Sequence, residues 1–257
     1  MSIGGSSYIL RSLWAPGLRN LEVKERFQFD SVAALLHPPN SLLLESIRRA
    51  LPHNQILSLA LESVRVALQI PGDEGHVGIS VRCQNPDELS RWLAEEFPSE
   101  LSSVTELRLR VSSTRHQSEF QGLRKLLEAL SNVVRLVCSN VDGGAGVVLA
   151  EHLASPHQES DGWHWHWPKL THMELGDAWK WPELALTMIR ERYGGSEMEP
   201  EDSSGGSPKW HPSPLTTLQL NRMGSMHPET FQGIERIVGK EALEEHGSDG
   251  EEHDGGE

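Results

Sequence analysis

One phrase of spaced aliphatic residues recurs along this 257-residue chain and limits the folds that the chain can adopt. Each copy has an aliphatic residue, a second one three positions later and a third two positions after that. Alternate residues of a strand share one face, so each copy predicts a short strand with one apolar face. The copies are Leu18, Leu21 and Val23; Ile56, Leu59 and Leu61; Val104, Leu107 and Leu109; Val133, Leu136 and Cys138; Leu170, Met173 and Leu175; Leu215, Leu218 and Leu220.

Helix signals follow most of these copies. Asn85-Pro86-Asp87-Glu88 combines an N-cap residue, a first-turn proline and carboxylates, and apolar residues at helical spacing follow it as far as Pro98. Similar patterns occupy 119–130, 182–193 and 228–238. A strand-plus-helix unit cannot bury its apolar face alone, so its repetition predicts stacking. The predicted fold class is α/β: an irregular leucine-rich-repeat-like array of parallel strands and helices, with about six units.

Three segments interrupt this pattern. Val64 to Ile70 and Val77 to Cys83 alternate apolar and polar residues around a Pro-Gly turn, which predicts an inserted β-hairpin. Residues 194–213 are rich in glycine, serine and acidic residues, which predicts a flexible insert. Residues 241–257 hold eight carboxylates and neither lysine nor arginine, which predicts a disordered acidic tail. The predicted organisation is one repeat domain over 1–240 and the tail over 241–257.

Charge and cysteine content restrict the partners and the compartment. The net charge is −14, and leaving out the eight tail carboxylates still leaves −6, so we expect no nucleic-acid partner. No apolar run reaches about 18 residues and the first ten residues lack a basic, then apolar, leader, so we expect no membrane partner. With only Cys83 and Cys138, a disulfide framework is excluded. We predict an intracellular protein, cytoplasmic or nuclear.

The strongest candidate for chemistry is the run Trp163-His164-Trp165-His166-Trp167. Histidines two positions apart point to the same side of a strand, and two imidazoles can share a zinc ion if His172 or Glu174 adds a third ligand. This supports, as an alternative, a metal-dependent hydrolase using His164 and His166. We favour surface or packing roles for both histidines, because a metal site needs a full ligand set.

No GxSxG, HExxH or CxxC motif occurs, so we predict a non-enzymatic protein without a cofactor. We call the aliphatic positions of the six copies the ladder. In a stacked array, the residues between the ladder positions point away from the core, about 4.8 Å from their counterparts on neighbouring strands. Such a row of side chains can bind a segment of a protein partner. The predicted partner-binding residues are Glu22, Arg108, Arg110, Val137, Ser139, His172, Glu174, Gln219 and Asn221.

The ladder resembles the leucine-rich-repeat C-terminal regions of fungal F-box proteins over roughly residues 10–240. The resemblance rests on Trp167-Pro168-Lys169-Leu170 with Met173 and Leu175, and on Pro214-Leu215-Thr216-Thr217-Leu218-Gln219-Leu220. It implies a role as the substrate-recognition part of an SCF-type ubiquitin ligase. Docking to Skp1 requires an F-box, and Leu51-Pro52-His53-Asn54 only mimics its opening, with Asn54 in place of an acid. We interpret that segment as the end of a helix that leads into a ladder strand.

Overall fold

The computed structural model of this chain describes residues 20–29, 41–62, 65–71, 76–83, 85, 87–112, 120–141, 143–160, 162–176, 182–194, 212–221 and 227–246. Most of the predicted flexible insert, residues 195–211, lies outside these ranges. Residues 247–257 of the predicted tail and the turn residues 72–75 of the predicted hairpin also lie outside them.

Seven helices and eleven strands are formed by the described residues. The helices are α1 (Ser41–Asn54), α2 (Asp87–Glu96), α3 (Pro98–Leu101), α4 (Gln121–Ala129), α5 (Gly143–Ala154), α6 (Pro182–Tyr193) and α7 (Pro228–Val238). The strands are β1 (Asn20–Phe29), β2 (Ile56–Glu62), β3 (Arg65–Ile70), β4 (His76–Cys83), β5 (Glu106–Ser112), β6 (Arg135–Ser139), β7 (Pro156–Glu159), β8 (Gly162–Trp165), β9 (His172–Leu175), β10 (Thr217–Asn221) and β11 (Leu243–His246).

Nine of these strands form one sheet in the order β1-β4-β3-β2-β5-β6-β9-β10-β11. In this spatial order, the six strands β2, β5, β6, β9, β10 and β11 are parallel to one another. Strand β3 is antiparallel to both β2 and β4, and β1 is parallel to β4. Strands β7 and β8 form a separate antiparallel pair. The α/β class with mostly parallel strands is therefore confirmed.

The helices form a single layer against one face of the sheet. Helix α2 packs on α4, α4 on α5, α5 on α6 and α6 on α7. In β5, Leu107 and Leu109 are buried whereas Arg108 and Arg110 are exposed. Successive parallel strands that are added in one direction along a sheet are joined by right-handed crossovers. Their connecting helices therefore lie on the same side of the sheet. The core lies between the sheet and this layer. No helix of the described residues covers the opposite face, which we call the open face.

The ladder residues line this core in transverse rows. One row joins residues that are paired across neighbouring parallel strands, and all of its members up to β10 are buried: Leu57, Leu107, Leu136, Met173, Leu218 and, on β11, the partly buried Leu243. A second row contains Leu59, Leu109, Cys138, Leu175 and Leu220. Because the rows run continuously across the strands, each strand must place its aliphatic residues at the same spacing.

Two of the expected neighbours in the ladder are wrong. The repeated phrase predicts that Leu59 lies opposite Leu107. In the sheet, Leu57 is the partner of Leu107 and Leu59 is the partner of Leu109. Residues Ile56–Glu62 alternate buried and half-buried side chains, and such a pattern is unchanged by a shift of two positions. The copy around Leu21 is also displaced, because β1 pairs with β4 at the far edge of the sheet.

The first residues of the predicted acidic tail belong to the folded sheet. Ala242 is buried and Leu243–His246 pair in parallel with β10, with Leu243 opposite Leu218. Our boundary was wrong because it was placed by charge alone. Ala242 and Leu243 continue the apolar row at the edge of the sheet, and this burial favours a strand even though the residues that follow are acidic.

Candidate functional site

The open face of the sheet brings together most of the predicted partner-binding residues. Eight of the nine lie on four adjacent parallel strands, two on each of β5, β6, β9 and β10. Arg108, Arg110 and Ser139 are exposed, and the others are half-buried. Arg108, Val137, Glu174 and Gln219 form one row across the strands.

Glu22 does not join this group. It is paired with Gly78 on β4, and the strands β4, β3 and β2 separate β1 from β5. At about 4.8 Å per strand, four spacings place Glu22 roughly 19 Å from Arg108 along the sheet. The sequence did not predict this separation, because sequence order within the ladder does not determine strand order within the sheet.

Glu174 is the centre of the polar contacts on the open face. Its Oε1 accepts a hydrogen bond of 3.0 Å from Asn221 Nδ2, and its Oε2 lies 3.6 Å from Arg135 Nη2. On β5, Arg108 Nε donates to Glu106 Oε1 at 2.6 Å. The arginine of each ion pair is about half exposed, so each pair contributes little to stability and can be exchanged for contacts with a partner.

Arg135 and Glu106 were missed by the sequence argument. Both occupy the position before the second ladder residue, which points outward as does the position after it. The sequence did indicate this position, because His172 lies at the equivalent position of β9 and was among the predicted partner-binding residues.

His172 connects two hydroxyl groups at the start of β9. Its Nδ1 lies 2.9 Å from Thr171 Oγ1 and its Nε2 lies 3.5 Å from Thr216 Oγ1. With Arg135 and Gln219 it borders a depression of only about 40 Å³. A shallow, polar surface of this kind suits a macromolecular partner better than a small molecule.

A second candidate site is a cluster of stacked imidazole rings at the β7–β8 pair. His166 lies between His152 of α5 and His157 of β7, with ring centroids 4.0 and 4.2 Å apart and interplanar angles of 25° and 19°. His157 is also paired with His164 across the two strands, with their ring centroids 6.0 Å apart. The structure therefore brings His164 and His166 into a four-histidine cluster, here called the histidine stack.

The histidine stack does not present a metal-ligand set. The nitrogen lone pairs of an imidazole lie in the ring plane, so stacked rings direct them into parallel planes rather than toward one ion. Among the described residues, no group of three or more His, Cys, Asp or Glu side chains is placed to hold a metal ion.

His152 is the buried end of the histidine stack. Burial lowers the pKa of His152 well below its ordinary value of 6.5, and the nearby His166 and Arg192 lower it further. Its Nε2 is buried and has no hydrogen-bond partner among the described residues. His152 is therefore a neutral ring that packs edge-on against Trp167, with centroids 5.0 Å apart.

Arg192 holds the loop that follows β8 through a hydrogen bond to its backbone. It is 2% exposed, and its guanidinium donates to Leu153 O at 3.0 Å, Trp167 O at 2.7 Å and Tyr193 Oη at 3.0 Å. Trp167 has a φ of +48°, which is unusual for a bulky residue. The bond from Arg192 to Trp167 O and the 3.1 Å bond from Trp167 Nε1 to Leu127 O hold this conformation.

A cavity of about 870 Å³ opens beside the histidine stack. It lies between the β7–β8 pair, the end of α4 and the segments that precede β9 and β10. Five of its ten lining residues carry flat indole or imidazole rings, and we call it the hairpin cavity after the β7–β8 pair. It is lined by Glu128, Ser131, His157, His164, Trp165, His166, Trp167, Pro168, Lys169 and Ser213.

No protein-family model matches this chain, and no curated protein and no solved structure is significantly similar to it. Among the helices of the described ranges, none has the length and apolar character needed to cross a membrane.

Proposed function

We propose that this chain is a non-catalytic protein-interaction module, in which a leucine-rich-repeat-like array presents the open face of its parallel sheet to a segment of a partner protein. The observation that carries the proposal is the group of eight selected side chains on four adjacent strands, displayed on the face that the helices leave uncovered.

A repeated backbone contact supports the repeat interpretation. One carbonyl before each strand accepts hydrogen bonds from two consecutive amides of the next unit. The acceptors are Gln55 O, Thr105 O, Val134 O and Thr171 O, with N···O distances between 2.8 and 3.2 Å. Four such links thus join five successive units, as expected of stacked repeats that contact only their neighbours.

Affinity would come from a few central residues on this face. Arg110 and Arg108 are exposed cations on β5, while Glu174 on β9 offers a carboxylate of opposite sign. Side chains of both signs on one surface select a partner by charge complementarity and set its orientation. Removing a central side chain is expected to weaken binding more than removing one at the rim.

A charge-reversal experiment tests the proposal. Tagged wild-type protein is used for affinity purification with mass spectrometry, beside the variant Arg108→Glu with Arg110→Glu. The matched control is Arg48→Glu with Arg49→Glu on α1, which makes the same charge change on the helical side. The proposal requires a partner that is lost with the β5 variant and kept with the α1 variant. A partner that both variants keep, or that both lose equally, would count against the open face.

The more specific form of this proposal is the substrate-recognition part of an SCF-type ubiquitin ligase, with a ligase substrate as the partner. It is supported only by the resemblance to fungal F-box proteins. Leu51 and Pro52 belong to the end of α1, which runs directly into β2. Co-purification of Skp1 with the chain would support ligase membership, and its absence would leave the general interaction module.

The metal-dependent hydrolase using His164 and His166 is the alternative from another class. Elemental analysis of the purified protein distinguishes the two. Stoichiometric zinc that disappears in a His164→Ala and His166→Ala double variant would favour the hydrolase, and protein without bound metal would favour the interaction module.

A further inference from the structure

We propose that the hairpin cavity binds a small planar aromatic molecule that carries an acidic group. This inference is independent of the open face, because it concerns different side chains and a ligand of a different class.

The size and walls of the hairpin cavity define the shape of the ligand. Its volume of about 870 Å³ falls within the range of roughly 300–1,000 Å³ that small-molecule sites occupy. Trp165, His157, His164 and His166 contribute flat rings to its lining. His157 and His166 already stack on each other at 4.2 Å, so a further planar ring can extend the same type of contact.

The walls of the cavity are held in place before any ligand enters. Trp167 is tied to α4 through Leu127 O, and the loop carrying it is tied to α6 through Arg192. A positive φ at a bulky residue costs free energy and persists only where its surroundings hold it. Fixed walls lower the ordering cost of binding, which favours a small ligand.

The charges around the cavity define the sign of the ligand. Arg192 is buried, its three hydrogen-bond acceptors are all neutral, and among the described residues no carboxylate pairs with it. Its guanidinium lies 5.7 Å from the ring centroid of Trp165, a wall of the cavity. Lys169 stands at the cavity with a neutral acceptor, Asn132 Oδ1, at 2.9 Å.

Glu128 is the carboxylate that opposes this positive potential, and it is weaker. Glu128 and Lys169 are both exposed, so water and salt screen both of their charges, whereas the charge of Arg192 is in a low-dielectric interior and acts over a longer distance. The adjacent Arg124 and Glu151 form an ion pair of 2.7 Å and largely cancel. The electrostatic potential in this cavity therefore favours binding of an anionic group and disfavours binding of an ammonium group.

Three ligands that share one ring and differ in charge test the proposal. We would titrate naphthoate, the neutral naphthalenemethanol and the cationic naphthylmethylamine into the full chain by calorimetry. We expect naphthoate to bind at one molecule per chain with a Kd at or below about 1 mM. We expect the neutral compound to bind about fivefold more weakly and the cation more weakly still, because the cations of the protein attract the anion and repel the ammonium group.

Variants with matched controls locate the binding. Trp165→Ala is expected to weaken naphthoate at least about tenfold through loss of the stacking surface. Trp165→Phe keeps a ring and should retain most of the binding. Trp163→Ala changes the exposed tryptophan of the same strand, which does not line the cavity, and should leave binding unchanged. Circular dichroism and melting temperatures of all three variants identify any loss of folding.

A charge change tests the sign separately. Lys169→Glu should weaken naphthoate about fivefold and leave the neutral compound unaffected. Lys125→Glu makes the same change of net charge at a residue of α4 that does not line the cavity, and it serves as the control. Absence of saturable naphthoate binding, tighter binding of the amine, or equal losses in Trp165→Ala and Trp163→Ala would each overturn the proposal.

Discussion

At the scale of single residues, two buried charged side chains stabilise the fold by hydrogen bonding to backbone groups at helix ends. Asp87 of α2 is 1% exposed and its carboxylate accepts from Gly122 N at 2.6 Å and Leu123 N at 2.7 Å. It thereby caps the first turn of α4 from a neighbouring helix. Arg192 does the equivalent at the end of α5 through Leu153 O.

The close approach of α2 and α4 predicts that Gly122 cannot carry a side chain. A Cβ at Gly122 would collide with Asp87 O and would lie 2.8 Å from Arg91 N. We expect Gly122→Ala to lower the free energy of unfolding by more than about 2 kcal/mol. Gly146 of α5 is the matched control, because its Cβ would have only ordinary contacts from 3.9 Å. Gly146→Ala should raise stability by about 0.5–1 kcal/mol. Urea unfolding of the two variants checks the contrast, and equal effects would contradict the described packing.

The buried His152 predicts a loss of stability in mild acid. Its folded pKa is below its unfolded value of 6.5, so its contribution is fully present above pH 6.5. As the pH falls below 6.5, the unfolded chain binds a proton that folded His152 does not, and stability declines by up to about 1.4 kcal/mol per pH unit. Unfolding measured between pH 7.5 and about 5 should show a shallower decline in His152→Leu than in the wild type. An unchanged slope would show that His152 does not cause the acid sensitivity.

At the scale of elements, some strands were predictable and others were not. The phrase located β5, β6, β9 and β10 because each combines outward polar with inward apolar residues. The shift at β2 and the position of β1 were not predictable, since a two-residue period does not determine register or strand order. Gly143 to Gly146 shows a related limit, because a glycine-rich stretch of the kind that is typical of a turn forms the start of α5.

Strand β11 can be tested as part of the sheet. Leu243 is partly buried in the core and lies opposite Leu218, whereas Glu241 is exposed just before the strand. We expect Leu243→Ser to lower the free energy of unfolding by about 1–2 kcal/mol and Glu241→Ser to leave it nearly unchanged. Slow amide exchange over Leu243–His246 would accompany this result. Rapid exchange there, with no effect of Leu243→Ser, would restore the earlier boundary of the tail.

At the scale of the whole molecule, the two candidate sites differ in how far the sequence revealed them. The open face follows from alternation within strands, so eight of its residues could be named in advance. The histidine stack was only half visible: alternation placed His164 and His166 together, but His152 and His157 come from separate elements. Arg192 carried no signal, because its main partners are backbone carbonyls, which any sequence supplies. The hairpin cavity arises from the assembly of these parts.

The central claim is that the ladder residues share one interior beneath a single helical layer, with their neighbours facing outward. Equilibrium unfolding of Leu107→Asp and Arg108→Asp tests it most directly, because the two variants place the same charge at adjacent positions of β5. Leu107 is fully buried, so its variant should lose about 4 kcal/mol or more and fail to unfold cooperatively. Arg108 is exposed, so its variant should stay cooperative and within about 1 kcal/mol of the wild type. Similar losses in both variants, or cooperative wild-type-like unfolding of Leu107→Asp, would contradict the claim.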